Sequence, residues 1–286
     1  MSTNIEHMTV RTNGINLHVV LSGPVDGPAI ILLHGFPEFW RGWIKQIQPL
    51  TDRGYRVIVP DQRGYNLSEV PGLVADYGLD KLSADVIGLM DHFGIKQANL
   101  AGHDWGAAVA WNTGMQYPER IRKLAILNVP HPAVMLRFIS RSPSQMLKSW
   151  YIGFFQIPGL ADWLLSRRNF SAVVQMLRSS GLPTSFSSVD LDEYRQAYTN
   201  SGGLTGMINW YRALLRYRPA APQNMRLSMP VRILWGRKDV ALSAEMAEES
   251  LKLCDQGELF FFENATHWVQ HDQPQAVADH LLEFFI

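Results

Sequence analysis

Two apolar patterns alternate along most of this chain. Ala29-Ile30-Ile31-Leu32-Leu33 is continuously apolar, as expected of a strand buried on both faces. Arg56–Pro60, Gln97–Ala101, Arg122–Asn128, Val231–Gly236 and Leu259–Phe262 are further short runs of strand type. The stretches around Trp43–Leu50, Leu79–Phe93, Gly106–Tyr117, Ser243–Leu253 and Gln273–Phe285 instead read as helices between or after them. Ahead of this series, Thr9–Thr12 and Ile15–Val20 flank Asn13-Gly14, a pair that favours the tight primed turn of a hairpin. Strand and helix in alternation predict an α/β fold: a mostly parallel central sheet flanked by helices.

The alternation stops after Val129-Pro130-His131-Pro132. From about Ala133 to Tyr217 no parallel strand is evident. Ser144–Phe155, Ala172–Ser179, Leu191–Thr199 and Leu204–Arg216 are amphipathic and predict short helices, with Gly159, Gly181-Leu182-Pro183 and Gly202-Gly203 between them. The expected organisation is therefore a core in two pieces, 1–132 and 219–286, with an all-helical cap inserted at 133–218.

Composition narrows the function classes. Lys plus Arg and Asp plus Glu number 26 each, so whole-chain charge recommends neither nucleic acid nor an anionic membrane as a partner. No apolar run approaches the roughly 20 residues needed to span a bilayer, so no membrane insertion is expected. Cys254 is the single cysteine, which excludes an intrachain disulfide. With no basic region followed by an apolar stretch at the N-terminus, a cytoplasmic location is the expectation.

In a doubly wound sheet, sites gather beyond the carboxyl ends of the strands. One predicted strand runs into Gly102-His103-Asp104-Trp105-Gly106, which has the small-x-nucleophile-x-small form of a nucleophile elbow with aspartate in place of serine. A carboxylate there redirects the chemistry from acyl transfer towards attack on an sp3 carbon. Asp239 follows another strand end and His267 the next, giving the order nucleophile, acid, base. Read singly, Asp104 is a helix-capping aspartate and Asp239 a turn residue; the three together carry the argument. His267 and His271 stand four apart, but without an accompanying glutamate pattern no metal is expected, nor any other cofactor. His103 and His131 read as hydrogen-bonded packing residues.

Taken together, His34-Gly35-Phe36-Pro37-Glu38, Arg63–Ser68, the Asp104 elbow, Asn128–Pro132, Asn209-Trp210-Tyr211-Arg212 and the tail around Asp239 and His267 resemble the soluble epoxide hydrolase family of the α/β-hydrolase superfamily. The resemblance implies the α/β-hydrolase fold. It also implies that Asp104 opens an epoxide to form an ester, and that His267, oriented by Asp239, activates water to cleave it. The backbone N–H groups of Phe36 and Trp105 are expected to hold the oxyanion. Tyr211 and Tyr151 are expected to donate to the epoxide oxygen, with Tyr194, Tyr198 and Tyr217 as alternative donors. Phe36, Trp105, Tyr151, Tyr211 and Trp268 are expected to contact a small apolar epoxide. A monomer or homodimer is compatible with this reading.

Two other functions fit parts of the pattern. A haloalkane dehalogenase shares the aspartate nucleophile but needs N–H donors for halide, and Phe36 stands where many of those enzymes carry Asn or Glu. A non-catalytic ligand-binding homologue often lacks a triad member, and here all three are present.

Overall fold

The computed structural model describes residues 5–222 and 224–286. The chain begins with β1 (Glu6–Thr12) and β2 (Ile15–Ser22), joined at Asn13-Gly14, both with positive φ as a primed turn requires. Then follow β3 (Ala29–Leu33), α1 (Ile44–Asp52), β4 (Arg56–Pro60), α2 (Leu79–His92), β5 (Ala98–His103), α3 (Trp105–Gln116) and β6 (Ile121–Leu127). After a long helical insertion come β7 (Leu227–Gly236), α10 (Glu245–Leu251), β8 (Cys254–Phe262), α11 (Val269–Asp272) and α12 (Pro274–Phe285).

The strands form one eight-stranded sheet in the order β1-β2-β4-β3-β5-β6-β7-β8. β2 is antiparallel to β1 and β4; the other neighbouring pairs are parallel. Ile30 to Leu33 of β3 and Leu100 and Ala101 of β5 are fully buried, which is why β3 reads as an unbroken apolar run. The carboxyl ends of β3, β5 and β7 and the loop after β8 deliver the residues of interest to one edge of the sheet.

Between β6 and β7 lie α4 (Pro132–Arg141), α5 (Pro143–Lys148), α6 (Trp150–Phe154), α7 (Leu160–Ser180), α8 (Ser188–Asn200) and α9 (Thr205–Arg216). Three details differ from the periodicity. α4 is unheralded because its N-cap is His131, whose ring accepts from the Ala133 N–H (3.2 Å), rather than one of the usual small polar caps. The single helix expected over Ser144–Phe155 breaks at Ser149, where Gln145 donates to the Ser149 hydroxyl (3.1 Å) and to the Ala241 carbonyl (2.9 Å). The segment Ala172–Ser179 is only the distal part of α7, which leaves helical geometry at Arg167–Phe170.

Arg212 of α9 holds the insertion together. It donates to the Phe155 carbonyl (3.0 Å) and pairs with Asp162 of α7 (2.6 Å). Trp210 Nε1–H donates to the Arg63 carbonyl (3.0 Å), joining α9 to the loop after β4.

Candidate active site

Asp104 stands between β5 and α3 with φ 51° and ψ −124°. Such a conformation at a non-glycine residue costs about 1–3 kcal/mol and is found where function requires it. Close packing explains its glycines. A Cβ on Gly106 would lie 2.1 Å from the Leu33 carbonyl oxygen, and one on Gly102 2.3 Å from that of Gly106. The chain can therefore turn tightly beside β3 only with hydrogen at those positions. Across the turn, a Cβ on Gly35 would fall 2.3 Å from Asp104 Cβ.

The Asp104 carboxylate has two distinct oxygens. Oδ1 accepts the Phe36 backbone N–H at 2.6 Å. Oδ2 lies 3.4 Å from His267 Nε2. Trp105 opens α3, so its backbone N–H has no partner within the helix. The other ring nitrogen of His267, Nδ1, donates to Asp239 Oδ2 at 2.7 Å. Asp239 Oδ1 accepts the backbone N–H groups of Ala241 (2.8 Å) and Leu242 (2.9 Å). Asp104, His267 and Asp239 thus form a continuous chain, buried at His267 and Asp239 and half-buried at Asp104.

Electrostatics follow from this geometry. Burial pulls the His267 imidazolium down, but the Asp239 carboxylate, followed by Asp104, outweighs it and raises its pKa from 6.5 to about 10. Burial likewise opposes ionisation of Asp239, yet His267 and the Asn128 amide hold its pKa below the ordinary carboxylate value.

Tyr211 of α9 packs edge-on to Phe36 (5.4 Å between ring centroids), Trp105 (5.0 Å) and Tyr151 of α6 (5.8 Å). It therefore sits over the two residues that flank Asp104. Burial, and next the Asp104 charge, push both phenols well above their usual pKa of about 10, so both remain protonated donors. Trp268 stands outside this group: its Nε1–H donates to Ser180 (2.9 Å) and its ring packs on Phe186, His103 and His267. Tyr194 Oη donates to Glu38 (2.7 Å), Tyr198 is buried against Phe170, and Tyr217 is 44% exposed.

Sequence reading missed three contributors. Phe155 packs edge-on against Phe36, Tyr151 and Tyr211, and nothing in an apolar stretch distinguishes it. Asn128, which carries no charge, donates to Asp239 Oδ2 (2.8 Å) and accepts the Gly236 N–H (3.0 Å). Its φ of 53° suits asparagine better than most residues. The third is a buried network centred on Glu38. Oε1 accepts from His271 Nε2 (2.6 Å) and Tyr194, and Oε2 accepts from Gln270 (3.1 Å) and lies 3.1 Å from His103 Nδ1. His103 Nε2 in turn donates to the His267 carbonyl (2.8 Å). His271 thus faces Glu38, while His267 faces Asp104 and Asp239.

Comparison with known proteins agrees with this architecture. Residues 28–274 match the α/β hydrolase fold family. The chain is 45% identical over 275 residues to the AB hydrolase superfamily protein YfhM of Bacillus subtilis (strain 168), covering 96% of each. It is 35% identical over 286 residues to Epoxide hydrolase 2 of Caenorhabditis elegans, covering 98% of this chain and 80% of that one. Among solved structures, a point mutant of an epoxide hydrolase from Bacillus megaterium, complexed with its naphthyloxy-propane-1,2-diol product, superposes with a TM-score of 0.90 at 28% identity. That match covers 97% of this chain and 99% of that one. The chain belongs to the epoxide hydrolase family of the α/β-hydrolase superfamily.

Proposed function

We propose that this hydrolase converts a small apolar epoxide and water to a vicinal diol through an ester on Asp104, with the helices of 133–218 acting as the cap that closes over the reaction. The observation carrying this reading is the Asp104–His267–Asp239 chain set beneath two protonated phenols. Asp104 Oδ2 attacks an epoxide carbon in line with the C–O bond, while Oδ1 stays on the Phe36 N–H. Negative charge leaves the carboxylate and develops on the epoxide oxygen. Tyr211 and Tyr151 donate to that oxygen, and a proton from one of them completes the hydroxyl. His267 then removes a proton from water as it adds to the ester carbon. The oxyanion forms on Oδ1, already seated on the Phe36 N–H, with the Trp105 N–H as its second donor. Collapse breaks the Cγ–Oδ2 bond; His267 returns its proton to the departing alkoxide, the new Asp104 carboxyl gives its proton back to the phenolate, and the diol is released.

Charge bookkeeping supports the order of steps. Esterification neutralises Asp104, which removes one of the two charges that hold the His267 pKa up. The imidazole therefore becomes easier to deprotonate once the ester exists, when a base is needed.

Incubation with a styrene-oxide-type epoxide and, separately, with a bromoalkane tests the reaction class. Diol without bromide release is expected; bromide release without diol makes the dehalogenase reading correct. Binding of the epoxide with neither product favours a ligand-binding homologue. Phe36 offers no side-chain N–H for a halide at the position where many dehalogenases carry Asn or Glu, and this disfavours the dehalogenase. Within the epoxide reading, Tyr211→Phe should lower kcat/KM by about 10²-fold, the worth of one general-acid donor. Tyr151→Phe alone should cost less than the double change. An unchanged kcat/KM in the double variant contradicts the phenol assignment.

A further inference from the structure

The stretch that carries α5, α6 and the start of α7 combines unpaired cations with exposed tryptophans. Between Pro132 and Leu182 the chain holds six Arg and Lys residues and one acid, Asp162. Whole-chain neutrality hides this, because the remainder carries the compensating negative excess. Asp162 is itself paired with Arg212, and Arg137 with Glu249. Among the described residues no ion pair engages Arg141, Lys148, Arg167, Arg168 or Arg178.

Large apolar side chains lie among these cations. Trp150 is 66% exposed and Trp163 56%, and Leu147, Ile157, Leu160 and Leu164 are exposed as well. Tryptophan is ordinarily well buried, so two standing in solvent within one short stretch mark a contact surface. The Arg167 guanidinium lies 4.4 Å from the Trp163 ring centre, which puts a cation on the same face as an exposed indole. Indole and aliphatic groups beside unpaired Arg and Lys are the composition of a surface that lies in the interface of an anionic bilayer. Among the described residues no helix is long and apolar enough to cross a membrane, so such contact would be superficial.

We propose that this face docks reversibly on anionic lipid surfaces, with Trp150 and Trp163 at the headgroup–acyl boundary and the cations near Arg167 on the lipid phosphates. Helix α6 links that face to the site: it carries Trp150 outward and Tyr151 against Tyr211. A docked molecule would collect an apolar substrate dissolved in the bilayer. That consequence rests on the epoxide reading; the docking does not.

The test is co-sedimentation of the full chain with vesicles of phosphatidylcholine alone and with about one third phosphatidylglycerol. Binding to the anionic vesicles only, a shift of tryptophan emission to shorter wavelength and release at about 0.5 M salt are expected. Trp150→Ser/Trp163→Ser and Arg167→Gln/Arg168→Gln should each reduce the bound partition coefficient roughly tenfold or more. Both variants should keep the wild-type circular dichroism and melting profile. No binding to anionic vesicles, equal binding to neutral ones, or binding that folded variants retain overturns the proposal. A dimer seen by light scattering that Trp150→Ser/Trp163→Ser dissolves also overturns it, because the face would then be covered by a second copy.

Discussion

One turnover in heavy-oxygen water should give a diol that carries no heavy oxygen, while the Asp104 peptide gains about 2 Da by mass spectrometry. The geometry dictates this counter-intuitive outcome. Oδ2, the oxygen facing His267, forms the bond to carbon and leaves with the product, and the solvent oxygen replaces it in the carboxylate. If His267 instead activated water for direct attack on the epoxide, the label would appear in the diol and Asp104 would stay unlabelled. Asp104→Ala removes the attacking atom and should lower kcat/KM by about 10⁴-fold or more, since the remaining donors have no nucleophile to assist. An active enzyme with an unlabelled Asp104 sinks the ester mechanism.

His267→Ala should separate the two halves of the reaction. Ester formation needs Asp104 and the phenols, so it proceeds; hydrolysis loses its base and should slow by about 10²–10⁴-fold. Intact-protein mass spectrometry should show enzyme plus one substrate mass, and product formation should stall near one equivalent. Complete and rapid multiple turnover by this variant contradicts the role given to His267. In the unmodified protein the same residue sets a pH dependence whose sign follows from its surroundings. The imidazole of the free protein, raised to about 10, is charged at neutral pH. In the ester the Asp104 contribution is gone and the value must fall. Single-turnover ester hydrolysis should therefore rise with pH through a midpoint below about 10, and lower than that of His267 in the free protein by NMR titration. Equal midpoints in the two states would mean that Asp104 does not sense His267.

Much of this was legible without coordinates because it rests on local rules. The buried strands announced themselves as unbroken apolar runs, and the elbow glycines betrayed backbone too closely packed for a side chain. What stayed hidden depends on contacts between distant segments. Asn128 offers no charge, and its value arises only where Asp239 arrives 111 positions later. Glu38 gathers partners from as far away as His271, and no spacing in the chain encodes that meeting. Phe155 differs from other apolar residues of the insertion only by the ring it meets. Trp268, expected among the substrate contacts, donates its indole N–H to Ser180, a partner 88 positions away that the sequence does not announce.

The placement of the insertion has a consequence for how such a protein can diversify. It leaves the sheet after β6 and returns at β7, and these strands are hydrogen-bonded neighbours with Leu127 opposite Leu234. Its two roots are therefore fixed a strand's width apart, about 5 Å, whatever is spliced between them. Lengthening such an excursion is cheap in chain entropy, about 0.6 kcal/mol for each doubling. The Asn128–Asp239 bond clamps the same junction from the core side, so the orientation of the acid does not depend on the spliced segment. Tyr151 and Tyr211 travel with that segment, whereas Asp104, Asp239 and His267 do not. Under the proposed mechanism the two phenol donors can thus drift separately from the nucleophile, acid and base, and chimeras joined at Asn128 and Asp239 are the natural way to exchange the former while keeping the latter.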